Sequence, residues 1–244
     1  MLHATNLIGF GAGGYGVPGN DSFTKILLHF DGTNGSTTFT DVNAGGAAHT
    51  WSVPTGTSVL STASPKFGTA SLLTGVSSGI VTANSPDLNL GSSDFTMDCW
   101  WNPAGVSGGG FQGICGQQRA AASLSQIGLY VYRDNSNKIV AAAYSWTSTN
   151  ILMTSANSVA GNQWYHLAMV RAGSTAYLFI NGVQDAIQTG ITGAVNYDSG
   201  GAFGVGCTGL SVPFSSGKYI DEFRLSVGIA RWTSNFTPPS EPYD

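Results

Sequence analysis

Side chains able to do acid–base work are few in this chain. Thirteen acidic residues and four histidines are spread over 244 positions. Retaining glycoside chemistry needs two carboxyl groups roughly 5–5.5 Å apart. Neighbours at i,i+2 or i,i+4 on one strand meet that need, because alternate residues share a face. Asp94 and Asp98 share a face by spacing, but Asp94 falls in the turn before its strand and leaves Asp98 alone. Asp221 and Glu222 are adjacent and, in a regular strand, point to opposite faces. Glu222 and Glu241 are the sole glutamates, and no E-x-D-x-x-E run occurs. His3, His29, His49 and His166 are scattered, and no G-x-S-x-G nucleophile elbow is present. Gly9 to Gly14 spells G-x-G-x-x-G, but that motif works between a strand and a helix, and no helical period follows. No catalytic residue is assigned, and the expectation is a protein that is not an enzyme.

Composition excludes other classes. Only 9% of residues are charged, against roughly 25% in an average domain, and the net charge is −4. The nine basic residues stand singly, so no patch exists to neutralise phosphates and no nucleic-acid partner is expected. No apolar run approaches the roughly 20 residues that span a bilayer. Cys99, Cys115 and Cys207 lie far apart, with no C-x-x-C spacing. Cys99 shares a strand face with Phe95, Met97 and Trp101, so the cysteines read as small buried hydrophobes. Aromatic rings are the strongest ligand signal, since they present a flat apolar face beside a polar handle. Trp100, Tyr130, Tyr132, Tyr144 and Trp146 are the candidates for stacking on a sugar. Trp101, Trp164 and Trp232 read as core.

Those rings must be held by strands. From Lys25 onward short apolar-alternating runs are separated by turn residues, and no stretch keeps a helical period. Asp94–Asn102, Ile127–Arg133, Lys138–Trp146, Trp164–Ala172, Thr175–Ile180 and Tyr219–Ser226 are among twelve such runs, the others being His49–Val53, Ser71–Thr74, Gly79–Ala83, Gln112–Gln117, Ile151–Ser155 and Ala202–Gly206. Asn181-Gly182 between two apolar strands predicts a type I′ hairpin, and Asp134-Asn135-Ser136-Asn137 predicts a second hairpin. So many strands and tight turns, with 34 glycines, predict an all-β sandwich. Residues 1–22 form a separate glycine-rich arm, and residues 23–244 form one domain. Leu7, Ile8, Phe10 and Tyr15 are spaced as anchors for attaching that arm to another surface.

Five segments carry a family resemblance. They are Ile26-Leu27-Leu28-His29-Phe30-Asp31-Gly32, Phe67-Gly68-Thr69-Ala70-Ser71-Leu72, Asp94-Phe95-Thr96-Met97-Asp98-Cys99-Trp100-Trp101-Asn102-Pro103, the pair Trp164–Arg171 and Tyr177–Val183, and Lys218–Ser226 with its tail to Pro239. In order, they resemble laminin-G-like, concanavalin-A-like lectin/glucanase jelly rolls, in the form common in tailed-bacteriophage virion proteins. The resemblance implies a two-sheet antiparallel jelly roll. It implies a non-enzymatic virion structural protein, a capsid decoration or tail-appendage component presenting a lectin-like surface. The alternatives it leaves are a carbohydrate-binding adhesin recognising host surface glycan and a glycan-active hydrolase. The implied partners are other virion proteins, sister subunits and host glycan. The start of the chain lacks a basic n-region and does not read as a secretory signal, so synthesis in the host cytoplasm and residence in the virion are expected. No cofactor is assigned. Relatives often hold a structural calcium, for which Asp31 and Asp221 occupy the family positions.

Overall fold

The computed structural model describes residues 19–75, 77–103, 111–118, 127–145, 148–207 and 218–244. Within them lie fourteen strands: β1 (Thr24–Leu28), β2 (Val59–Ser61), β3 (Ser71–Thr74), β4 (Ile80–Ala83), β5 (Phe95–Pro103), β6 (Gln112–Gln118), β7 (Ile127–Arg133), β8 (Lys138–Ser145), β9 (Ser148–Ser158), β10 (Tyr165–Ala172), β11 (Thr175–Ile180), β12 (Val183–Gln188), β13 (Ala202–Val205) and β14 (Lys218–Val227). One short 3₁₀ turn, Pro86–Leu88, is the sole helical piece among the described residues. The strands make two antiparallel sheets, as the alternating pattern predicts. An eight-stranded sheet runs β12-β11-β10-β5-β14-β3-β2, with β1 also pairing β14, and a six-stranded sheet runs β4-β13-β6-β7-β8-β9.

The core lies where the inward faces meet. Phe95, Met97, Cys99 and Trp101 of β5, Leu167 and Met169 of β10, and Phe223 and Leu225 of β14 come from one sheet. Leu129 and Val131 of β7, Ile139 and Ala141 of β8, and Phe203 and Val205 of β13 come from the other. All three cysteines are free and buried. Burial pushes the Cys99 and Cys115 thiols well above their ordinary range, so they act as packing groups.

The eight-stranded sheet is buried on its outer face as well. Ala168, Val170 and Phe179 point outward there and are covered by Ala230, Trp232 and Phe236 of the C-terminal tail. Trp232 and Phe236 stack at 4.0 Å and 6°. This explains why β10 is apolar on both faces, and it places Trp232 as a cover over the sheet rather than inside the sandwich.

The Asn181-Gly182 turn forms as predicted, with φ of 52° and 74°. It has a second job. Phe236 N donates to Gly182 O at 2.9 Å, and a Cβ on Gly182 would sit 2.0 Å from Phe236 O. Gly182→Ala therefore has both a left-handed backbone and a backbone overlap to relieve. We expect it to cost at least about 2 kcal/mol in urea unfolding, with tail release seen as a change in Trp232 fluorescence.

The free edges of the two sheets meet through side chains. Asp185 of β12 accepts from the backbone N–H groups of Ala156 and Asn157 on β9, and Gln188 accepts from Leu152 N at 2.8 Å. These bonds occupy donors that an open β9 edge would offer to another chain.

Two local features depart from the sequence expectation. His49–Val53 makes no strand, only an isolated bridge at Ser52. In β14 the register shifts between Asp221 and Arg224, with Glu222 at φ 48°. Ile220 and Phe223 both face the core, so the bulge turns Asp221 and Glu222 to the same outer face instead of opposite ones.

Candidate functional site

The outer face of the six-stranded sheet carries an aromatic strip. Leu129 and Val131 of β7 point into the core, so Tyr130 and Tyr132 point out. Their rings stack at 4.5 Å and 27°, and Phe111 packs on Tyr132 at 5.6 Å. On the β6 side their cross-strand partners are glycines, Gly116 opposite Tyr130 and Gly113 opposite Tyr132. On the β8 side they are Ala142 and Val140. These neighbours are small and buried, and the half-buried rings stand above them. Tyr144 is two residues past Ala142 on the same face and is half-buried. Leu152, opposite Ala142, is 57% exposed and Phe111 is 43% exposed. Burial, then the neighbouring Tyr144 and Asp134, raise the Tyr132 hydroxyl above its ordinary value, and burial raises Tyr144. Both phenols stay neutral at physiological pH and can donate as well as accept.

The structure separates the five aromatic candidates. Tyr130, Tyr132 and Tyr144 come together. Trp146, like Leu7, Ile8, Phe10 and Tyr15 of the arm, lies outside the described residues. Trp100 sits on the other sheet and is 8% exposed. Its face is taken by the Lys66 ammonium 3.8 Å above it, and its edges by Phe67 and His166. No sugar can stack on Trp100 unless the Lys66 loop moves, because the loop carrying Phe67 folds down over β5. Strand alternation shows which face a ring takes and is blind to a distant loop that covers it. Phe111 and Leu152 were missed: one precedes its strand, and the other is a single apolar residue.

The acidic residues serve the fold. Asp98 is fully buried on the outer face of β5. It accepts from Arg224 Nε at 2.9 Å and from Tyr243 OH at 2.5 Å, with His166 Nε2 at 3.5 Å. Burial raises its pKa, but the Arg224 charge and then His166 outweigh this and hold the carboxyl below its ordinary value. Arg224 Nη1 donates to Gly19 O, and its guanidinium lies 3.7 Å over the Tyr243 ring. Asn20 N donates to Asp244 O, so residues 19–22 and the C-terminal tail meet on this outer face. Asp94 accepts from Gly173 N at 2.6 Å. Asp221 accepts from the N–H groups of Lys66, Phe67 and Glu222, and Asp31 accepts from Thr69 N and Oγ1. The two family calcium positions thus bind backbone donors. Among the described residues no group of three or more His, Cys, Asp or Glu is arranged to hold a metal.

His49 ties the 41–49 loop to the 3₁₀ turn. Its Nδ1 lies 2.8 Å from Asp41 Oδ2 and its Nε2 3.1 Å from Ser85 Oγ. Burial lowers its pKa, but the hydrogen bond and charge of Asp41, with Asp87 behind, outweigh burial, so the net shift is upward from 6.5. A histidine raised in the folded state contributes stability that is complete below its unfolded value and is lost as pH rises through the folded one. We expect thermal stability to fall from about pH 6 to about pH 8 by more in the wild type than in His49→Gln. His29 has the same sign, and Lys218, pushed down by burial to about 8, has the opposite sign at higher pH. The difference between wild type and variant isolates His49.

A comparison with protein families matches residues 73–227 to the laminin G-type group described as the concanavalin A-like lectin/glucanases superfamily. The chain belongs to this superfamily. Solved structures agree on the fold. The binding domain of Paraclostridial Mosquitocidal Protein 1 is 14% identical with a TM-score of 0.63, over 85% of this chain and 49% of that one. The botulinum neurotoxin serotype D ligand binding domain in complex with N-acetylneuraminic acid is 13% identical with a TM-score of 0.61, over 86% and 48%. Domain 4 of AbnA, a GH43 extracellular arabinanase from Geobacillus stearothermophilus, in complex with arabinotriose, is 17% identical with a TM-score of 0.56, over 85% and 93%. The chain spans about half the length of the two toxin domains and nearly all of the arabinanase domain. Among curated proteins the sequence finds no match.

Proposed function

We propose that the protein is a non-enzymatic, lectin-like module that binds glycan on the outer face of its six-stranded sheet. The observation that carries this reading is the stacked, half-buried pair Tyr130/Tyr132 beside glycines, with Tyr144 and Phe111 flanking. A sugar ring offers an apolar face and a rim of hydroxyls, and an aromatic strip edged by neutral phenols complements both. Two solved structures of similar fold were determined with N-acetylneuraminic acid and with arabinotriose, which supports the ligand class. Hydrolysis is disfavoured because Asp98, Asp221 and Glu222 are buried and each is engaged in hydrogen bonds or ion pairs. Per-site affinity is weak in this reading, and multiple copies supply avidity. The test is a glycan array with wild type and tyrosine variants, alongside a reducing-end assay on polysaccharides. Array silence at every spot overturns glycan binding, and new reducing ends overturn the non-enzymatic assignment.

The setting we propose is a tailed-phage virion, as capsid decoration or tail appendage, with synthesis in the host cytoplasm. The five ordered segments support it. So does one feature of the geometry. Gly19 meets Arg224 and Tyr243 on the outer face of the eight-stranded sheet, opposite the tyrosine face. Residues 1–22 would attach the domain to a virion partner or sister subunit from one side while the other stays open to glycan. Deleting residues 1–18, which spares the Gly19, Asn20 and Asp21 contacts, should leave a folded domain that no longer joins particles, and full incorporation of the truncated protein would remove the arm from this role.

A further inference from the structure

We propose a second ligand site, a pocket at the end of β1 that takes one neutral polyhydroxylated ring, a monosaccharide unit. The cavity measures about 230 Å³ and is lined by His29, Asp31, Thr38, Phe39, Thr40 and Leu60, with Phe30 and Val42 at its margin. That is smaller than the roughly 300–1,000 Å³ of sites for drug-sized ligands, and it suits a single ring.

Three of the family-like segments converge here. Glu222, from the bulge in β14, is 2% exposed and holds His29 Nδ1 at 2.7 Å. This fixes the imidazole by one nitrogen, and His29 Nε2 makes no hydrogen bond. Asp31 is seated by Thr69, whose N–H and hydroxyl both donate to Oδ1, leaving Oδ2 without a partner. Gly68, at φ 56°, permits this seat, because a Cβ there would lie 2.1 Å from Asp31 Oδ1. Thr38 and Thr40 are exposed and neither hydroxyl is engaged. Phe39 and Leu60 form an apolar wall, 7% and 2% exposed.

The backbone is strained on both sides of the pair. Phe30 and Glu222 adopt left-handed φ of 61° and 48° although neither is glycine. Non-glycine strain of this kind gathers at functional sites, where surrounding structure holds a side chain in one orientation. Here it presents His29 and Glu222 to each other and leaves the free imidazole edge at the cavity.

The chemistry selects the ligand. Two carboxylates, Asp31 and Glu222, against one imidazole repel anions. One free carboxylate oxygen cannot complete the six to eight oxygens that calcium requires. A carboxylate acceptor, a fixed imidazole nitrogen and two hydroxyls beside an apolar wall match the hydroxyl rim and flat face of a pyranose. The pocket opens from the end of β1, on the sheet opposite the tyrosine strip, so it does not depend on glycan binding at Tyr130 and Tyr132.

The test is an NMR titration of the full chain with methyl glycosides of glucose, galactose, mannose and N-acetylglucosamine. The readouts are the His29 imidazole resonances and the backbone amides of residues 38–42 and 60. We expect at least one glycoside to move these signals in the wild type and in Tyr132→Ala. Thr40→Trp fills the cavity with an exposed side chain and breaks no hydrogen bond, and it should weaken the response at least about tenfold, as should Asp31→Asn. Comparison of the amide spectra keeps unfolding apart from ligand loss. Silence of these signals toward all four glycosides overturns the site. So does a full response in Thr40→Trp, or a response abolished by Tyr132→Ala alone.

Discussion

Asp98→Ala should destabilise the domain by about 3–5 kcal/mol, the range for removing one partner of a buried ion pair. The Arg224 side chain is 1% exposed and the Asp98 side chain is fully buried. Without the carboxylate, a guanidinium remains sealed under Trp232 and the Tyr243 ring, 5.6 and 3.7 Å away, with Gly19 O as its remaining partner. Tyr243 OH loses its acceptor as well. For a chain of this size the thermal midpoint should drop by about 10 °C. Asp98→Leu with Arg224→Met should recover much of the loss, because apolar replacement of a whole buried pair is often neutral or better. Acid should mimic the variant. The carboxyl is held below its ordinary value, so its contribution is complete above the unfolded value of 3.8 and disappears as pH falls through the folded one. If thermal melts show Asp98→Ala as stable as wild type, the knot joining residues 19–22 to the tail is not a structural anchor.

Loss of Tyr130 and Tyr132 together should reduce glycan binding by about a hundredfold, on the basis of roughly 1–2 kcal/mol for each well-packed aromatic contact. The rings stack on each other at 4.5 Å, so removing one also frees the other to tilt. The two single variants should therefore each lose more than half of the double-variant effect. Stability should change little, since both side chains are half-buried on the outer face and the core partners Leu129 and Val131 are untouched. Trp100→Ala makes the contrast. It should leave binding intact and lower stability, because its ring lies under Lys66 and against His166. Binding that survives the double tyrosine change but fails in Trp100→Ala would move the site to the other sheet.

Much of the architecture is written locally. Alternation in Phe95–Pro103 and Ile127–Arg133 assigns each side chain to a face, since one residue of slip would exchange core for solvent. Asn181-Gly182 dictates its own turn, because both positions need positive φ. The pairing of Tyr130 with Tyr132 on one face, and of Cys99 with the core, follows from that same period of two. Three strands lie outside such reading: β1, which the family resemblance alone marked, β2 and β12. β2 has three residues, too few to show a period, and β12, Val-Gln-Asp-Ala-Ile-Gln, carries polar groups because its side chains satisfy the β9 edge.

What the chain order could not reveal is which outer face the C-terminal tail covers. That depends on Phe236 reaching Gly182 and on Arg224 reaching Gly19, contacts between residues far apart in sequence. The same holds for Trp100, whose pattern matches a surface ring until Lys66 folds over it. It holds for Asp221 and Glu222, which a regular strand would separate and a bulge turns to one side. The His29 pocket is assembled from β1, the Gly68 turn and β14, each unremarkable alone. Local pattern fixes the direction of a side chain relative to its own strand. Burial, pairing and pocket formation are properties of two or more strands together, and only the packed structure decides them.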